Sequence, residues 1–248
     1  MNSYRTLRLR PSLAPTLSAA TLALVVACIL VSPALADKKK SAPPAKPASQ
    51  YAAFDTHPNE HVTIAAEPCD DPKECDFFRL PYVQHGFIPV RVIVTNDSDA
   101  DLSLDDVRIQ FISADNDKIP AATLDDINRR LFSTRSAMGT KVPLVPLTIH
   151  HAPLDKKVTE DDADFSFQTT TVKPHTTLAG YLFYDVRNLD DPPLKGAELY
   201  VKMIHTADNQ KQLFAFTIPF NKWLEANPGQ KPVKQADPVS TKDTPGMP

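Results

Sequence analysis

Apolar and polar side chains alternate over residues 87–95, with Val90, Val92 and Val94 on one face and Arg91 and Thr95 on the other. The run breaks at Asn96-Asp97-Ser98-Asp99, then alternation resumes with Val107, Ile109 and Phe111 against Arg108 and Gln110. Successive residues of a strand point to opposite faces, so these runs predict adjacent antiparallel strands with one buried face. The same period predicts strands over 62–66, with Val62, Ile64 and Ala66 together, and over 165–172, with Phe165 and Phe167 together. It continues over 178–186 (Leu178, Leu182, Tyr184, Val186), 197–206 (Leu199, Val201, Met203) and 213–220 (Phe214, Phe216, Ile218, Phe220). About seven strands with short polar connections predict a mostly β chain folded as an antiparallel sandwich.

One helix interrupts the strands. Thr123 stands three residues before Asp126, a capping-box pattern with Asp in place of Glu, and Leu124, Ile127 and Leu131 follow at helical spacing. A second short turn is predicted at 221–226, closed by Asn227-Pro228. Residues 133–164 hold Pro143, Pro146 and Pro153 and predict an irregular excursion with one edge strand at 147–150. Within it, Glu160-Asp161-Asp162 and Asp164 read as an exposed acidic loop, because like charges so close resist order.

The ends of the chain differ from its middle. Arg5, Arg8 and Arg10 precede a charge-free stretch from Pro11, with an apolar centre over 19–30 and a small-x-small site at Ala34-Leu35-Ala36. That is the anatomy of a signal peptide, residues 1–36, cleaved after Ala36. Pro15 and Pro33 keep the apolar run short for an uncleaved membrane anchor. Val25-Val26-Ala27-Cys28 resembles a lipobox, so lipidation of Cys28 stands as the alternative, although residues 29–36 stay apolar or small. Residues 37–56, rich in Lys, Pro and Ala, and the Pro-rich 227–248 predict disordered flanks around a β domain over 57–226.

Cleavage would leave 24 basic against 30 acidic side chains, a net charge of −6. A mildly acidic surface argues against a nucleic-acid partner, whose binders carry a dense basic footprint. Two cysteines would remain, Cys69 and Cys75, which predict a disulfide in an oxidising compartment. Closing so short a loop stabilises by about 2.4 kcal/mol in the chain-entropy model, enough to staple a turn and not to hold a fold. The spacing is not the C-x-x-C of a metal-binding pair.

Two stretches carry a family likeness. Pro89-Val90-Arg91-Val92-Ile93-Val94-Thr95-Asn96-Asp97-Ser98, followed by Leu102-Ser103-Leu104, resembles a V-x-V-x-V-x-N-x-S…L-x-L hairpin. Pro174-His175-Thr176-Thr177-Leu178-Ala179-Gly180-Tyr181-Leu182-Phe183-Tyr184-Asp185-Val186 is similar to a later P-x-T-x-x-G-Y-L-x-F-x-V strand. Both resemble the immunoglobulin-like extracellular domains of bacterial secreted proteins and lipoproteins, many without an assigned function. The resemblance implies an immunoglobulin-like sandwich that is not an enzyme, and it transfers no catalytic residue. Residues 133–164 depart from the compact family pattern.

Candidate chemistry is sparse. Asp97, Asp99 and Asp101 at alternate positions could converge on calcium, but the EF-hand pattern would need Gly at Leu102 and Glu at Arg108. His57 and His61, four apart, and the adjacent His150 and His151 are candidate copper or zinc ligands. His150 and His151 would point to opposite faces of a strand, and His57-Pro58-Asn59-Glu60-His61 misplaces the glutamate of a zinc-protease helix. Asn96-Asp97-Ser98 matches a glycosylation acceptor. Trp223 beside Phe220 and Leu224 reads as core closure, with an exposed anchor as the alternative. The sequence holds no phosphate-binding glycine loop and no G-x-S-x-G elbow.

The chain therefore reads as an exported, non-catalytic module, secreted or periplasmic, with no cofactor and an unidentified protein or cell-envelope partner. Membrane attachment would require lipidation of Cys28 or an uncleaved leader. The excursion 133–164 is the expected contact surface, since loops on a rigid sandwich carry recognition, and its deletion should leave the domain folded. Periplasmic metal handling is the alternative.

Overall fold

The computed structural model describes residues 42–132, 154–208 and 211–228. The leader with Cys28, the expected edge strand at 147–150, His150 and His151 lie outside the described residues. Among these residues, eleven strands form three antiparallel sheets, accompanied by a few short helices. The first sheet has the order β1-β2-β3-β8, from Phe54–His57, Val62–Pro68, Phe87–Asn96 and Thr176–Asp185. The second has the order β11-β9-β5-β6, from Phe216–Pro219, Glu198–Lys202, Arg108–Ile112 and Lys118–Pro120. A third, small sheet joins β10 (His205–Thr206), β4 (Leu102–Ser103) and β7 (Thr171–Val172).

The two larger sheets share one core. Val90, Val92, Val94 and Tyr184 of the first meet Phe111, Leu199, Val201 and Phe216 of the second, and Trp223 joins them. β3 and β5, expected as neighbours, lie in different sheets. The acidic turn after β3 leads into β4, whose Leu102 is buried with the following Leu104, and this carries the chain across the core.

All ten residues of β3 are buried, so both its faces are covered. The Pro/Ala segment covers part of the outer face, and a second aromatic core covers the end at Phe87. Residues 42–56 are not the expected linker: Ala48 and Ala53 are fully buried, and the Ala48 amide donates to Thr95 Oγ1 at 2.8 Å. Small side chains let this backbone lie against the outer face of the sheet, where Ala48 packs on Ile93 and Ala65. Pro89 fits inside β3 because it lies one step past the last β2 pair, Pro68 with Val90.

Helix α1, Leu124–Leu131, starts with the expected capping box of Thr123 and Asp126. Thr123, followed by backbone bonds, holds the Asp126 carboxyl below its ordinary pKa. Helix α2, Lys156–Phe165, replaces the second half of the expected excursion and the start of an expected strand. A short α3, Asn221–Ala226, follows β11. Val158 and Phe165 of α2 and Ile127 of α1 build a second core with Phe78, Tyr82, Phe87, Tyr181 and Phe183.

Two expected strand faces shift phase. Met203 adopts φ 66°, which ends β9 and turns Ile204 inward in its place. Phe214 precedes β11 and is 78% exposed, whereas Phe216, Ile218 and Phe220 are fully buried.

Candidate functional site

A cleft opens where β5 loses its outer neighbour. β6 pairs with β5 only over Gln110–Ile112, ending at Pro120, and the Ala122 amide then donates to the Phe183 carbonyl of β8 at 2.8 Å. The chain thus crosses from one sheet to the edge of the other, leaving the start of β5 open. Leu104, Val107, Ile109, Leu182 and Phe167 line a space of about 460 Å³, with Arg108, Gln110, Thr169 and Thr170 among its polar residues.

The Phe167 wall depends on Gly180. A Cβ at that position would stand 2.5 Å from the Phe167 amide nitrogen, so the glycine lets the 166–170 segment press on β8. Gly180→Ala must displace that backbone and is expected to cost about 2 kcal/mol in urea denaturation. An unchanged midpoint would show that the segment yields freely.

The sequence offered two hints of this cleft, a glycine inside a strand and a proline ending one. The expected binding segment lies elsewhere in part: its residues 156–164 belong to a packed helix, so 133–164 cannot be removed without opening the second core. Asp161, expected in a solvated loop, is fully buried.

Cys69 and Cys75 form a disulfide, with S–S 2.03 Å. The loop they close leads to Arg79, whose guanidinium reaches Asp161 at 2.8 Å, Asp164 at 2.5 Å and Glu160 at 3.1 Å. Tyr82 Oη also donates to Asp161 at 3.0 Å. Burial, then the charge of Asp161, pushes the Tyr82 hydroxyl far above its ordinary pKa. This network fastens the disulfide loop to α2. Beside Cys69, Asp70 is 9% exposed and its Oδ1 has no hydrogen-bond partner among the described residues. Burial raises its pKa to about 6, helped by the charges of Asp71 and Glu74.

Of the described candidate metal ligands, His57, Asp99 and Asp101 make local side-chain contacts. His57 stacks on Phe216 with ring centroids 3.8 Å apart, and its Nδ1 lies 2.9 Å from Glu60. His61 is exposed, with φ 55°, at the turn into β2. Asp99 faces His175 at 3.1 Å and Asp101 pairs with Lys173 at 2.6 Å, while Asp97 is exposed. Asn96 organises that turn: its amide donates to the Ala100 and Val172 carbonyls and its Oδ1 accepts from Ser98. Fully buried and engaged, Asn96 cannot serve as the glycan acceptor its motif suggested. Among the described residues, no group of three or more His, Cys, Asp or Glu is placed to hold a metal ion.

No protein-family model, curated protein or solved structure matches the chain.

Proposed function

We propose that the chain is an exported, non-catalytic, immunoglobulin-like sandwich module that binds an envelope component through the cleft beside β5. The cleft carries this reading: it is preformed, mostly apolar and of ligand size, and it sits between the edges of two sheets that share a core. The leader pattern of residues 1–36 and the Cys69–Cys75 disulfide support export into an oxidising compartment. The immunoglobulin-like assignment rests on the two strand motifs and on the antiparallel layers.

Intact-mass measurement of the native protein tests export. A chain beginning at Asp37 with both cysteines oxidised is expected; a retained leader with free thiols overturns it. The neutral dye N-phenylnaphthylamine tests the cleft. One bound equivalent is expected, and Thr169→Trp, which fills the space from an exposed position, should abolish it. Dye binding that ignores this substitution removes the cleft from the reading.

A further inference from the structure

We infer that the cleft takes a single-chain anionic amphiphile, a fatty-acid-like carboxylate whose apolar body lies inside and whose head meets Arg108. The inference rests on the cleft being a binding site, as proposed above.

Charge decides the head. Among the described residues lining the cleft, Arg108 is the one that carries a charge, and no carboxylate is among them. It is exposed at the start of β5 and makes no ion pair or hydrogen bond among the described residues. A guanidinium offers paired N–H donors that match a carboxylate's two oxygens. Asp105 and Asp106, in the preceding turn, do not line the cleft, and Asp105 is engaged by Ser103 and Thr170. A cationic head would meet no carboxylate among the described lining residues.

Shape decides the body. The space of about 460 Å³ falls within the range of roughly 300–1,000 Å³ typical of small-molecule sites. Its apolar walls, Leu104, Val107, Ile109, Phe167 and Leu182, present only hydrocarbon side chains. An added polypeptide strand is disfavoured by the short open edge. β5 pairs with β9 from Arg108 but with β6 only from Gln110, which exposes two residues of backbone on that side. Strand addition draws its affinity from a longer ladder of main-chain bonds.

Calorimetry of the purified protein with dodecanoate and dodecyltrimethylammonium below their micelle concentrations, and dodecanol below its solubility limit, tests the assignment. Dodecanoate should bind at one equivalent, about five- to tenfold tighter than dodecanol, with the cation weakest. Arg108→Gln should erase the advantage of dodecanoate over dodecanol. Arg108→Glu should reverse the order of the two ions. Equal binding of all three would overturn the choice of head while the cleft stood. Failure of all three with the neutral dye still bound would overturn the amphiphile. Failure of the dye as well would take the cleft reading with it. Wild-type protein should stay in solution when phosphatidylglycerol vesicles are sedimented. Co-sedimentation lost in Arg108→Gln would mean that Arg108 reads a bilayer surface, and would overturn the free ligand.

Discussion

Replacing Asp161 by alanine is expected to cost about 3–5 kcal/mol of folding stability, measured by urea or thermal unfolding. The carboxylate is fully buried. It accepts the Arg79 amide at 3.0 and 3.2 Å through its two oxygens, Arg79 Nη1 at 2.8 Å and Tyr82 Oη at 3.0 Å. Alanine leaves the Tyr82 hydroxyl and the Arg79 amide without these partners, and unsatisfied buried donors carry a full desolvation penalty. Arg79 would keep Asp164 and Glu160, and its side chain is 19% exposed, so the lower end of the range is the better expectation. Asp161→Asn should recover little, because its NH₂ would face donors. Tyr82→Phe removes one bond and should cost about 1 kcal/mol. The damage should also be local to the second core. Phe78, Phe165, Tyr181 and Phe183 pack there with ring centroids 4.9–5.5 Å from Phe78, so the near-ultraviolet dichroism of this cluster should weaken first. A loss below 1 kcal/mol for Asp161→Ala would show that α2 is held by its apolar side chains alone.

The period-two runs made the central strands legible because a strand's core contacts are written in its own alternating residues. Val90, Val92 and Val94 face the shared core as their spacing requires. The second face of β3 was legible only in hindsight, as a near-continuous apolar run over 87–94. Part of its cover, Ala48 with Tyr51 and Phe54 packed beside it, comes from a composition that normally marks a tether, and the close fit of a small side chain leaves no periodic signal. α2 escaped for an electrostatic reason. Asp161 and Asp164 repel within a short window, and the charge that accepts them, Arg79, stands more than 80 residues away. Met203 broke the expected β9–β10 strand by a positive φ that no residue type announced. The cleft is a product of three distant positions, Pro120, Phe167 and Gly180, brought together by a crossing that sequence spacing does not encode.

Asp70→Asn is expected to stabilise the protein by about 2–3 kcal/mol at pH 7–8 and to remove a pH dependence that the wild type carries. In the folded chain Asp70 has a pKa of about 6 against an ordinary 3.8, chiefly through burial and then through the charges of Asp71 and Glu74. A raised carboxyl pKa means that the folded state holds its proton more tightly than the unfolded state. Its favourable contribution is therefore complete below about pH 4 and is lost as pH rises to about 6, after which the curve is flat. Above that, folding must bury an ionised carboxylate whose Oδ1 finds no donor among the described residues. Asparagine fills the same space without a charge, so its gain should grow across this window and then level off. The comparison must be the difference between variant and wild type at each pH. Asp126, whose pKa is lowered by its helix cap, loses stability in the opposite direction as acid is added, and that slope cancels in the difference. Urea midpoints at pH 4, 5, 6 and 8 would measure it. A gain that is equal at every pH, or absent at pH 8, would mean that water reaches Asp70 beside the disulfide and already solvates its charge.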